Sequence, residues 1–217
     1  MITMINNSEI SYKSAEILLK LECVNFSTSK PFKLTSGKLS PVYCDCRRLI
    51  SFPKERKLLI DFGIKKIKDK KNFPQISKIA GGESAGIPYA TMIAERLNLP
   101  MTYIRKEKKK FGKNSQIEGI LKKNDNVLLV EDLMTDGGSK LVFLKAIDSI
   151  GAQTKQIFVI FNYGIIDKFF NFKKFDIELI SLTSWEFILE VGLKMKKIKK
   201  KEIEIIKNFL VTIGIRN

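Results

Sequence analysis

Two unbroken apolar runs, Val127–Val130 and Ile157–Phe161, constrain this chain more than any other feature. A strand with one wet face alternates apolar and polar residues, so runs without alternation need cover on both faces. Shorter strand-like segments, Ile76–Ala80 and Met101–Arg105, precede them. Between the strands lie helical stripes: Ile87, Ala90, Ala94 and Leu97, then Leu141, Leu144 and Ile147 in a helix ending near Gly151. Strand and helix in alternation predict an α/β fold with a parallel sheet between helical layers. Ser14–Glu22 has helical spacing. Pro31–Arg47 is rich in turn and β formers and suggests short strands or a loop-rich cap. Pro53 suits the first turn of a helix that carries Ile60, Ile64 and Ile67 on one face. Ile177–Leu182, the helix-like Trp185–Leu193 and the charged run Lys194–Lys201 follow. Without a repeat or a Gly/Ser/Pro-rich linker, residues 1–217 read as one domain.

The formal net charge is +16. Such an excess suits nucleic acid, a membrane surface or a small polyanion, but a lysine-rich composition also produces a merely solvated surface. No apolar run is long enough to span a bilayer, and the N-terminus lacks the charged and apolar regions of a leader, so a cytoplasmic location is expected. Histidine is absent, which excludes a Ser-His-Asp triad, a histidine base and histidine-ligated zinc. Cys23, Cys44 and Cys46 are odd in number and lack a second pair, so they read as reduced, structural thiols. Chemistry is left to carboxylates, lysines, backbone amides and a metal ion.

In parallel sheets ligands bind beyond the carboxyl ends of the strands. Three connections therefore matter: Gly81–Gly86, Arg105–Gly119 and Glu131–Ser139. Glu131 and Asp132 are adjacent in a strand, so they cannot both face one layer. At the strand end they can meet sugar hydroxyls directly or through Mg²⁺. Thr135–Ser139 then offers backbone N–H groups, hydroxyls and two unhindered glycines in front of a helix N-terminus, a cradle for phosphate. Acids for hydroxyls followed by amides for a phosphate describe a ribose 5-phosphate site. Gly81–Gly86 is a second glycine-rich turn, weak by itself. The basic stretch Arg105–Gly119 could close over a pyrophosphate, and its plain alternative is a solvated hairpin. No Walker A loop and no G-x-G-x-x-G follows a strand.

Val127–Ser139 resembles the phosphoribosyl pyrophosphate (PRPP) signature of type I phosphoribosyltransferases. Phe32–Arg47, Ile79–Pro88, Tyr103–Gly119 and Ser181–Trp185 are similar to segments of orotate phosphoribosyltransferases, in the family's order. The resemblance implies that family's α/β fold, a mainly parallel sheet flanked by helices with residues 1–50 contributing a small hood over the base. It implies Mg²⁺-dependent transfer of ribose 5-phosphate from PRPP to orotate, giving orotidine 5′-monophosphate and pyrophosphate, in pyrimidine synthesis. Carried over by position, Glu131 and Asp132 hold the ribose hydroxyls. Leu133, Met134, Thr135, Asp136, Gly137, Gly138 and Ser139 form the 5-phosphate loop, and Thr135 also meets orotate. Glu83, Ser84 and Ala85 form the pyrophosphate loop. Arg105, Lys106 and Lys109 bind phosphates, with Lys109 at the catalytic loop position. Ser36, Gly37, Lys38 and Tyr43 line the orotate pocket. Mg²⁺ is held mainly by PRPP, with Glu131 and Asp132 as the protein groups available to it. The partners implied are PRPP, orotate and a second copy of the chain, whose Arg105–Gly119 loop acts on the neighbour's site; no specific nucleic acid and no membrane are implied.

Four departures from the family pattern stand out. Phe111 occupies the place of a loop histidine, Thr135-Asp136 that of a Ser-Thr pair, Thr35 that of a lysine, and Asn162-Tyr163 that of an Asp-Arg pair. Two other readings are a phosphoribosyltransferase for a different nucleobase and a PRPP-sensing regulator that binds nucleic acid. The regulator draws on the charge and the Lys194–Lys201 run, although no helix-turn-helix or added domain is present.

Overall fold

The computed structural model describes residues 5–34, 37–108, 116–135, 138–164 and 177–215. Its centre is a six-stranded sheet in the order β10-β9-β8-β5-β6-β7. The strands are β5 (Lys78–Gly82), β6 (Met101–Ile104), β7 (Ile117–Glu118), β8 (Asn126–Met134), β9 (Gln153–Asn162) and β10 (Glu178–Ser184). All neighbours run parallel except β7, which returns antiparallel to β6.

The unbroken apolar runs acquire their two covers. Leu128, Val130, Phe158 and Ile160 face a core shared with helices α1 (Asn7–Lys20), α2 (Pro53–Lys68), α3 (Gly86–Leu97) and α5 (Trp185–Lys194). Val127, Leu129, Ile157 and Val159 face the smaller core under α4 (Gly138–Asp148), packed on Phe143, Ala146 and Ile147. Successive residues of one strand thus feed different layers, as the pleat requires. Helix α6 (Lys200–Thr212) seats Ile206 and Leu210 in the larger core.

Local signals fix the helix ends. Asn6 and Glu9 exchange backbone and side-chain hydrogen bonds in a capping box at α1, so this helix starts before the apolar stripe at Ser14. Pro53 opens α2, as its fixed φ favours. Asn98, left-handed at φ 53°, closes α3.

Two strand ends lie later than sequence periodicity suggests. β5 includes Gly81 and Gly82, and β8 runs through both acids to Met134. Polar or side-chain-free residues carry no hydrophobic signal, yet their backbones continue the ladder: Gly82 pairs with Ile104, and Met134 with Asn162. Ahead of α2, two small antiparallel pairs lie apart from the main sheet. β1 (Val24–Phe26) joins β4 (Val42–Cys44), and β2 (Phe32–Lys33) joins β3 (Leu39–Ser40). A 3-10 turn, Cys46–Ser51, then packs against β8.

Candidate active site

The C-terminal ends of β5 and β8 bring the acid pair, the Gly81–Gly86 turn and the start of α4 together. Glu131 and Asp132 are both buried, at 6% and 7% exposure, and on opposite faces. Glu131 turns toward α4, where Lys140 Nζ donates to its Oε2 at 2.7 Å. Its other oxygen, Oε1, is buried and has no hydrogen-bond partner among the described residues. Asp132 turns toward the 3-10 turn and α3, into the field of Arg47, and its Oδ1 accepts the Leu133 N–H at 2.8 Å. Burial raises the pKa of both carboxyls above the ordinary range; Lys140 opposes the shift at each.

Glycines make room for this arrangement. A Cβ on Gly82 would run into Glu131 Oε1 and Phe143, and one on Gly86 would meet the Val130 carbonyl oxygen. The glycine spacing of the turn therefore serves the closeness of α3 and β5 to Glu131. The Glu83–Ser84 peptide is cis. Glu83 accepts the Lys106 N–H at 2.8 Å, which ties the turn to the root of the basic loop. Ser84 is exposed and Ala85 half-buried.

That root is a hairpin. Tyr103 pairs with Glu118 and Ile104 with Ile117. The Arg105 N–H donates to the Gln116 backbone carbonyl at 2.8 Å, while the Gln116 side-chain Nε2 donates to the Arg105 carbonyl at 2.9 Å. Arg105 lies 3.9 Å from Glu118 and keeps a buried Nε without a hydrogen-bond partner among the described residues; Lys106 is exposed. Lys109 and Phe111 lie outside the described residues.

Of the candidate phosphate-loop residues, Leu133 and Met134 pack their side chains into the two cores and keep their backbones in the β8–β9 ladder: the Leu133 N–H donates to Asp132, and the Met134 carbonyl accepts the Tyr163 N–H at 2.9 Å. Thr135 is exposed, and Gly138 and Ser139 open α4. Asp136 and Gly137 lie outside the described residues. Of the base-pocket candidates, Gly37 has a left-handed φ of 81°, Lys38 is exposed, and Tyr43 tilts against Phe32 with ring centres 5.7 Å apart. Ser36 and Thr35 are outside the described residues. The departure Asn162-Tyr163 has a clear structural place: Tyr163 meets Phe161 and Trp185 edge-on at 5.3 and 5.2 Å. Burial, with Cys44, Cys46 and Tyr43 nearby, pushes its phenol pKa up.

Two site residues escaped the sequence reading. Arg47 is gripped by Asp45 through Nε at 2.6 Å and Nη2 at 2.8 Å, with its charge felt at Asp132. Lys140 carried a signal that could have found it: a lysine in a helix's first turn opposes the helix dipole unless an acid meets it.

Among the described residues no three His, Cys, Asp or Glu side chains gather as a metal cluster. Glu131 and Asp132 lie on opposite faces of β8, so they fit a cation only as single contacts, with most of its shell left to phosphate oxygens and water, the usual habit of Mg²⁺.

The profile of the phosphoribosyl transferase domain matches residues 54–194. An orotate phosphoribosyltransferase of Dinoroseobacter shibae is 49% identical over 160 residues, which cover 74% of this chain and 71% of that protein. The solved structure of Leishmania donovani UMP synthase is similar with a TM-score of 0.76 at 27% identity, covering 93% of this chain and 42% of that longer one. The orotate phosphoribosyltransferase of Aeropyrum pernix is similar with a TM-score of 0.70 at 28% identity, over 85% of this chain and 99% of that one. Sheet order, the buried acid pair before a glycine-opened helix and these matches agree: the chain belongs to the orotate phosphoribosyltransferase family of phosphoribosyl transferases.

Proposed function

We propose that the protein transfers the 5-phosphoribosyl group of PRPP to orotate, releasing pyrophosphate and orotidine 5′-monophosphate. The observation that carries this reading is the acid pair at the end of β8, immediately before the loop that opens α4. Orotate N1 attacks C1′ while the C1′–pyrophosphate bond breaks, so the sugar passes through a cation-like state between nucleophile and leaving group. The protein's part is to hold and to neutralise, which needs no strong base.

Asp132 accepts hydrogen bonds from the ribose hydroxyls, and Glu131 supports the same end of the sugar from beneath. The amides of Thr135–Ser139 and the positive end of α4 hold the 5-phosphate. Arg105, Lys106 and Lys109 meet the pyrophosphate, and the Glu83–Ala85 turn supplies backbone donors beside them. Gly37, Lys38 and Tyr43, with Ser36, form the base pocket within a hood contributed by residues 1–50 of a single domain. Glu131 and Asp132 are the protein groups available to Mg²⁺ held mainly by PRPP, and the ion would supply neutralisation of the leaving-group charge. A homodimer in which each Arg105–Gly119 loop serves the partner's site, working in the cytoplasm, completes the proposal.

The test is loss of orotate absorbance by purified protein with PRPP and Mg²⁺, with product identified chromatographically. Uracil, hypoxanthine and adenine run in parallel. Orotidine monophosphate formed only when PRPP is present is the expected result. Turnover of another base but not orotate would overturn the pocket assignment.

A further inference from the structure

We propose that Cys44 and Cys46 form a thiol modification site, which a small disulfide such as oxidised glutathione converts into an intramolecular disulfide that disables the adjoining base pocket. Their sulfurs stand 3.7 Å apart, across a single intervening residue. Asp45, at φ −135° and ψ 86°, keeps the chain near extended where β4 gives way to the 3-10 turn, and alternate residues of an extended chain share a face.

The two thiols differ in the way such a reaction needs. Cys44 is half-buried and so the more accessible of the two, whereas Cys46 is fully buried. The contact with Cys44, and then burial, hold the Cys46 thiol well above the ordinary cysteine pKa, so external attack falls to Cys44. In the first step the Cys44 thiolate attacks one glutathione sulfur and expels one glutathione thiolate. Cys46 then attacks Cys44 Sγ from inside the protein, passes its proton to solvent, and expels the second glutathione. One dithiol and one disulfide become one disulfide and two thiols.

Closure has a mechanical consequence. The sulfurs must approach from 3.7 Å to a bond of about 2.05 Å. The Cys46 carbonyl is anchored by the buried Tyr89 hydroxyl at 2.6 Å, so the displacement falls on Cys44 and its neighbour Tyr43. Cys23, whose thiol burial pushes up to about 12, is buried and takes no part.

The full chain is incubated with oxidised glutathione, alkylated under denaturing conditions and cut with trypsin. Cleavage after Lys38 and Arg47 releases residues 39–47, which hold both thiols and exclude Cys23. The expected peptide is two hydrogens lighter and takes no alkyl group, while Cys23 is alkylated. Orotate turnover falls at least about tenfold, in line with the cost of ångström-scale misplacement at a reacting site. A thiol reductant restores both. Cys44→Ala keeps basal turnover and ignores the oxidant; Cys23→Ala remains sensitive. Glutathione left on Cys44, or two alkylatable thiols in the peptide, would overturn the site. A disulfide formed without loss of turnover would overturn its effect on the pocket. The turnover arm rests on the proposed orotate reading, but the peptide mass does not, so the two failures are distinguishable.

Discussion

Lys140, in the first turn of α4, places its ammonium 2.7 Å from Glu131 Oε2, and both side chains are more than nine-tenths buried. The pair joins the helix that opens the phosphate loop to the strand that carries the acids. A buried ion pair adds little net stability over an apolar pair of the same shape, but removing one partner strands the other charge. Lys140→Met should therefore lower unfolding free energy by about 3–5 kcal/mol. Adding Glu131→Gln should recover much of that loss in urea titrations. A double variant no more stable than the single would show that the pair is not what fixes this corner.

Asp132 offers a stability–function trade. Burial raises its pKa, so its ionised form is held against its preference while the ribose is absent. Asp132→Asn should raise the thermal midpoint by about 2–4 °C, the range expected for a gain near 1 kcal/mol in a chain of this size. The same change should weaken PRPP binding and turnover together. Thermal shift with and without PRPP reads both effects, and a lower midpoint in the ligand-free variant would refute the trade.

Gly86 starts α3 directly against β8. A methyl group there meets the Val130 carbonyl oxygen, a backbone atom that cannot swing aside. Gly86→Ala should cost about 1–3 kcal/mol, as overpacking does elsewhere. Because Glu131 shares the contact, turnover should fall as well. Gly164, where an added Cβ meets none of the described residues within 4 Å but φ is 75°, makes the control: Gly164→Ala should cost through backbone strain and leave the acid pair in place. Equal turnover losses at the two sites would contradict this assignment.

Lys109→Ala should cut orotate turnover by about 10² or more with an unchanged unfolding midpoint, because its proposed work is confined to the departing pyrophosphate. If its loop serves the neighbouring subunit, mixing this variant with Asp132→Asn under exchange should restore activity. Random pairing gives half mixed dimers with one intact site each, or about a quarter of wild-type turnover. A mixture no more active than its components would indicate that the loop serves its own subunit.

Chelation supplies a fifth check. Removing divalent cations should abolish turnover, and Mg²⁺ should restore it, because among the described residues no cluster of three metal-ligating side chains would retain the ion by itself. PRPP-induced thermal stabilisation should shrink in parallel.

The sequence by itself determined the class of fold and pointed to an address for the site. Unbroken runs such as Val127–Val130 demand two covers, and the glycine and hydroxyl spacing of Thr135–Ser139 suits an anion. Both are local rules, written in side-chain type and period. Only the tertiary structure decided which way each acid turns and what meets it. Glu131 finds Lys140 on the next helix, Asp132 faces Arg47 from a turn more than eighty residues earlier, and Tyr163 finds Trp185 rather than a charge. Strand ends at Gly82 and Met134 were hidden for the same reason: a strand stops where its partner stops pairing. Such pairings depend on how distant segments pack, and packing leaves no period in the chain.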